Sequence, residues 1–171
     1  MKKYIKNLFV FVCICTVITL LLATTNYFTV PIIEQNQIAS TNKSLKEVMP
    51  KGENFEKIDT SNLTLPSSIS EAYKETDGKG YVVKMVTSGY GNNMIIMCGV
   101  DTEGIVTGAV CLSSNETLSK EKTYGKNFIS KNAQNIDEVD TIAGATKTTK
   151  AYKNAVKDAL KAVKELSGGE R

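Results

Sequence analysis

The chain has 171 residues, 42% hydrophobic and 23% charged, a composition that suits a globular protein and argues against disorder over most of its length. Its net charge of +3 rests on Lys2, Lys3 and Lys6: the 21 basic side chains, less these three, equal the 18 acidic ones. A neutral body without a basic stripe argues against nucleic-acid binding. The lack of His, and of close Cys pairs outside the N-terminal segment, argues against a zinc or iron–sulfur site.

No charged residue occurs between Lys6 and Glu34. Leu8 to Phe28 is therefore long enough to cross a bilayer, which takes roughly 20 apolar residues as a helix. The three lysines ahead of it keep the N-terminus cytoplasmic and put the rest of the chain outside. The run is longer than the core of a cleaved signal peptide, and no small-x-small site follows it, so it reads as a retained anchor. Cys13 and Cys15 lie mid-run as small apolar fillers. Pro31 marks a kink or an exit. Glu34 to Met49 is polar, with Ile38, Leu45, Val48 and Met49 at loose helical spacing, and Pro50-Lys51-Gly52 ends it. The organisation expected is 1–33 for cytoplasmic N-terminus and anchor, 34–75 for a connecting segment, and 76–171 for the folded domain.

Leu63, Leu65 and Pro66 stand in a polar stretch that predicts no element. Ala72-Tyr73-Lys74 reads as a short strand before a turn at Asp77-Gly78-Lys79-Gly80. Tyr81 to Thr87 is rich in strand formers. Gly89-Tyr90-Gly91 turns the chain, Met94 to Val100 forms a further strand, and a turn at Asp101-Thr102-Glu103-Gly104 leads to Ile105–Leu112. Successive strands with tight turns give an antiparallel meander. With Asp101 paired to Gly104, Cys98 falls opposite Thr107 and Cys111 opposite Met94. The sulfurs are then about 13 Å apart along the strands, beyond disulfide reach, and both read as free thiols.

Ser113 to Lys126 is polar and turn-rich, and Phe128-Ile129 anchors a short helix. Ala151, Ala155, Ala159 and Val163 recur every fourth residue beside Tyr152, Val156 and Leu160, an amphipathic helix with a lysine-rich outer face. Thr148 or Thr149 can cap its start, and Gly168-Gly169 lies past its end. The fold class is α+β: one membrane helix, then an antiparallel sheet with helices packed on it.

Before that last helix stands Asp140-Thr141-Ile142-Ala143-Gly144-Ala145-Thr146. Gly144 permits a positive φ or close backbone approach, and Ala145 leaves space above it. Thr146 carries a hydroxyl one or two residues before the first helical turn, where free N–H groups and the helix dipole favour an anion. On the residues alone two readings stand. The threonines cap the helix while Asp140 closes a turn, or Thr146 carries a phosphate ester.

This segment resembles the Asp-x-x-(Ser/Thr)-Gly-Ala-Thr motif of the flavin mononucleotide (FMN)-binding domain family. Its members include the G subunit of the Rnf ion-translocating electron-transport complex and the C subunit of the sodium-translocating NADH:quinone reductase. Gly89-Tyr90-Gly91, the strand running into Val100-Asp101-x-x-Gly104, Ile105-Val106-Thr107-Gly108 and Glu116-Thr117 follow the Rnf G pattern in order. The size and lone span suit that subunit better than the quinone-reductase one. The chain departs from the family at Ala143, where a hydroxyl residue is usual. It departs again at Leu118-Ser119-Lys120, where Pro and Gly follow Glu-Thr, and in lacking a histidine just upstream of that pair.

The resemblance implies FMN held by a phosphoester on Thr146, installed from FAD by a magnesium-dependent flavin transferase. It also implies that Asp140, Gly144, Ala145, Glu116, Thr117 and Tyr90 border the cofactor, with Thr117 hydrogen-bonding to the ring; on the residues alone Glu116 equally reads as one exposed acid in a polar loop, and Tyr90 as a turn tyrosine packed on the sheet. The protein would be an electron carrier without catalytic residues of its own, passing electrons among other membrane subunits of a ferredoxin:NAD oxidoreductase complex. Two other readings remain: a stand-alone extracytoplasmic flavin electron-transfer protein, and a membrane-tethered binding or sensor domain without cofactor.

Overall fold

A computed structural model of the chain describes residues 2–61 and 63–168. The chain divides into two units, Met1–Thr41 and Asn42–Arg171. Helix α1 (Lys2–Val48) makes up the first unit and ends in the second. Within it Phe9–Thr29 is a 21-residue stretch long and apolar enough to cross a membrane. Phe9, Phe11, Leu20, Leu21 and Leu22 are exposed along it, a surface that calls for an apolar surrounding. The hydroxyls of Thr16, Thr19, Thr24, Thr25 and Thr29 each donate to the carbonyl four residues before, at 2.6–2.9 Å. Threonine thus enters the stretch without leaving a donor unsatisfied, which hydrocarbon would penalise.

The helix does not exit at Pro31. A proline removes one i→i−4 bond, and helical turns continue on both sides of it. The end comes at Val48, because Pro50 disfavours helical geometry at the residue before it. Met49 N–H still reaches the Leu45 carbonyl at 3.0 Å, closing the last turn.

The second unit is built on a five-stranded sheet in the order β1-β2-β3-β4-β5, every neighbouring pair antiparallel. Its strands are β1 (Phe55–Ile58), β2 (Ile69–Glu75), β3 (Gly80–Thr87), β4 (Met94–Asp101) and β5 (Val106–Ser113). Its first two strands fall in the segment expected to connect; Ala72-Tyr73-Lys74, which reads as a short strand, lies in β2, whereas the sequence pattern marks no strand at β1. Their apolar content is low, and one strand partner is all that β1 needs. The helices that follow are α2 (Glu121–Tyr124), a 3₁₀ turn at Gly125–Phe128, another at Ile136–Glu138, and α3 (Thr146–Gly168). Gly168 is the last residue of α3 rather than a residue beyond it, and Gly169 lies outside the described residues.

The two faces of the sheet are covered by different helices. On one, Ala155, Val156, Ala159, Ala162 and Val163 of α3 pack on Val83, Met85, Ile96, Cys98 and Val100. Tyr152 stacks on Phe128 with ring centroids 5.6 Å apart, and Tyr124 meets both edge-on. Phe128 is buried as expected, whereas Ile129 is 49% exposed and anchors nothing. On the other face, Leu45, Val48 and Met49 sit over Tyr73, Val82 and Met97. Gly99 and Gly108 allow that approach: a Cβ on either would lie 2.6–2.7 Å from the Val48 carbonyl oxygen. Thr107 Oγ1 donates to the same oxygen at 2.6 Å.

The register at β4–β5 corrects the sequence-based pairing. Asp101 N–H donates to the Ile105 carbonyl at 2.9 Å, and the ladder slips between Gly99 and Val100. This bulge sets Cys98 opposite Ala109 and Cys111 opposite Ile96. The two sulfurs are thus two residues out of step rather than four, and both remain free thiols.

Candidate functional site

The chemistry-bearing loops meet at one end of the α3 face. Ala145 N–H donates to the Ile142 carbonyl at 3.0 Å, and Gly144 sits at φ +81°, the conformation of the third residue of a type II turn. The space where a Gly144 Cβ would stand is open. This turn delivers the chain into α3 at Thr146. Thr148 and Thr149 therefore lie inside the first turn and do not cap it. Thr149 Oγ1 instead accepts from Ile142 N–H at 3.3 Å and donates to the Ala145 carbonyl at 3.0 Å, locking the turn to the helix. By helix geometry the N–H groups of Thr146, Lys147 and Thr148 lack intrahelical acceptors.

Glu116 ties this helix start to the Gly89-Tyr90-Gly91 turn. Its Oε1 accepts from Gly91 N–H at 3.1 Å, and its Oε2 accepts from Thr148 Oγ1 at 2.5 Å. Gly89 packs under this clamp, where an added Cβ would lie 2.4 Å from Glu116 Oε1 and 2.9 Å from Thr148 Cα. No larger residue fits there without moving the helix.

Between these elements lies a cleft of about 270 Å³, lined by Tyr90, Glu116, Thr117, Leu118, Lys120, Glu121, Gly144, Ala145, Lys147 and Thr148. It stands near the small end of ligand sites. Tyr90, Glu116, Thr117, Gly144 and Ala145 were singled out from sequence and line this one wall. Thr146 is exposed at the mouth of the helix but is not part of the lining, and neither is Asp140. Asp140 contributes its backbone carbonyl, which accepts from Tyr124 Oη at 2.9 Å. Burial, with the Asp140 charge adding to it, pushes the Tyr124 hydroxyl above its ordinary value.

Sequence reasoning missed Lys120, Lys147, Thr148 and Glu121. The lysines and Glu121 looked like any charge in a polar stretch, and Thr148 like a cap. Only the folded arrangement separates Glu121, which is 1% exposed. Behind the cleft, burial holds the Cys98 thiol up at about 12. Burial, and then the Glu121 charge, hold Cys111 at about 11. Neither is a nucleophile at neutral pH. Among the described residues no group of His, Cys, Asp and Glu could hold a metal ion.

Residues 89–161, which contain the Gly-Tyr-Gly turn, the Glu116 clamp, the cleft wall and the start of α3, match the family model described as FMN-binding domain. That stretch is what the chain shares with the FMN-binding domain family. Two relatives resemble the chain over most of their length. The G subunit of the Na(+)-translocating ferredoxin:NAD(+) oxidoreductase complex of Acetobacterium woodii is 28% identical over 175 residues, covering 85% of this chain and 84% of the relative. The G subunit of the proton-translocating ferredoxin:NAD(+) oxidoreductase complex of Clostridium ljungdahlii is 25% identical over 170 residues, covering 91% of this chain and 89% of the relative.

The cleft suits an FMN on its own chemistry. Tyr90, Leu118 and Ala145 offer apolar surface for a ring system. Lys120, Lys147 and the free amides at the start of α3 offer positive potential for a phosphate. The open space at Gly144 lets a ligand approach the backbone.

Proposed function

We propose that the protein is a membrane-anchored electron carrier of an Rnf-type ferredoxin:NAD oxidoreductase complex, with FMN esterified through its phosphate to Thr146. The observation that carries this reading is the position of Thr146. Its hydroxyl stands at the first residue of α3, between cleft-lining residues on either side, next to amides that have no helical acceptor. A phosphodiester there keeps about one negative charge, which a helix N-terminus stabilises by about 0.3–1 kcal/mol.

The isoalloxazine ring, when bound, supplies reversible electron uptake; the protein supplies position and electrostatics. Gly144 and Ala145 keep the backbone low beneath the ligand. Glu116 fixes the distance between the Gly-Tyr-Gly turn and α3, and so the width of the cleft. Thr117 and Tyr90 are the exposed residues that border a ring, with Thr117 as its hydrogen-bonding partner. A cleft this shallow leaves part of the ring facing outward, which suits exchange of electrons with neighbouring subunits. Phe9–Thr29 crosses the bilayer with the basic N-terminus cytoplasmic and the domain outside. There an ester bond keeps the flavin from diffusing away. A flavin transferase matures the protein, and other membrane subunits of the complex are its partners.

Intact-mass measurement tests the reading. Full-length protein co-expressed with a flavin transferase should gain one FMN-sized increment, absent without the transferase. An unchanged mass in both cases would count against covalent FMN.

A further inference from the structure

Two carboxylates in this domain are almost wholly buried, and they differ. Glu75 is satisfied on both sides: its Oε2 accepts from Lys79 N–H at 3.0 Å and its Oε1 from Glu53 N–H at 3.3 Å. Glu121 is not. Ser114 Oγ donates to its Oε1 at 2.5 Å, while its Oε2 is buried with no donor among the described residues.

A buried carboxyl oxygen without a donor is costly and rare in a native fold, and calls for a partner. Glu121 lies in the wall of the cleft already described, on the short helix that also carries buried Tyr124. It lines the cleft yet is only 1% exposed.

We propose that Glu121 is a flavin-contacting residue: its free Oε2 takes a hydrogen bond from a ring N–H, and its charge lowers the reduction potential of the bound flavin. This rests on the cleft holding the ring, as read above. The warrant is elementary. Electrons arriving on a ring beside a buried carboxylate meet a repulsion that solvent screens only in part. Glutamine keeps the acceptor and the shape and removes the charge. Aspartate keeps the charge and retracts it by one methylene.

The test is a spectroelectrochemical titration of the flavinylated full chain in detergent, comparing wild type with Glu121→Gln and Glu121→Asp. Denatured bands of both variants should fluoresce like wild type, because attachment at Thr146 is untouched. The midpoint potential should rise in Glu121→Gln, and rise less in Glu121→Asp, with a shift of the visible flavin band in each. Fluorescent, folded variants with unmoved potential and spectrum would overturn the role of Glu121 and leave the attachment reading intact. If only Glu121→Asp folds, its potential and band decide the matter alone. If neither variant gives a cooperative melt, Glu121 is a structural carboxyl and the proposal fails.

Discussion

Removing the Glu116 side chain should loosen the site, and the structure sets the size of the effect. Glu116→Ala deletes two hydrogen bonds, one from Gly91 N–H and one from Thr148 Oγ1. Gly91 is only half-buried, so water can replace the first acceptor, at a cost of about 0.5–1.5 kcal/mol. Thr148 is 4% exposed, and its stranded hydroxyl costs about 1–3 kcal/mol. The sum is roughly 1.5–4.5 kcal/mol, which for a domain of this size lowers Tm by roughly 10 °C. Glu116→Gln keeps one acceptor and should lose about half as much. Circular dichroism melts of the full chain in detergent measure both. A Glu116→Ala protein melting within a degree or so of wild type would refute the clamp, and with it the idea that Glu116 sets the cleft width.

Three further outcomes follow from other parts of the fold. Tyr152 Oη is buried with no partner among the described residues, so Tyr152→Phe should be neutral or stabilise by about 1 kcal/mol; a loss of stability in denaturant titration would mean that the hydroxyl has a partner. Burial alone would raise Glu71, but hydrogen bonds from Lys57, Lys84 and Tyr73 outweigh it and hold the carboxyl down at about 2, from an ordinary 4.5. The contribution is then complete above pH 4.5 and fades as pH falls towards 2. Glu71→Gln should cost about 1–2 kcal/mol at pH 7, after allowance for solvent screening, and far less at pH 2. A pH-independent difference between the two melts would contradict that ion cluster. Cys98 and Cys111 should resist maleimide at pH 7 in the folded protein and react on denaturation, because burial raises both thiols; fast labelling of Cys98 in the native state would refute its place in the core.

The parts of the fold legible in the sequence are those governed by local rules. β3, β4 and α3 announce themselves through strand formers and a four-residue apolar repeat, and the Asp101 and Gly78 turns through residues that suit tight geometry. β1 was not legible, because Phe55-Glu56-Lys57-Ile58 has little apolar pattern and exists only by pairing with β2. The slip at Gly99 is another long-range outcome: seating Val48 against Gly99 and Gly108 involves residues far apart in the chain. At the cleft, Gly144 and Ala145 could be picked out because motif and helix start coincide. Glu121 could not, since its meaning lies in a missing hydrogen-bond donor, and no spacing in the sequence encodes that. The clamp between Glu116 and Thr148 spans 32 residues and was hidden for the same reason.

The central claim is the ester at Thr146, and a single substitution addresses it most directly. Full-length protein and its Thr146→Ala variant, each co-expressed with a flavin transferase, are denatured, separated on a gel and viewed under ultraviolet light before staining. The account predicts a fluorescent wild-type band and a dark Thr146→Ala band of equal protein content. A Thr146→Ala band as bright as wild type would contradict it, placing the flavin on another residue.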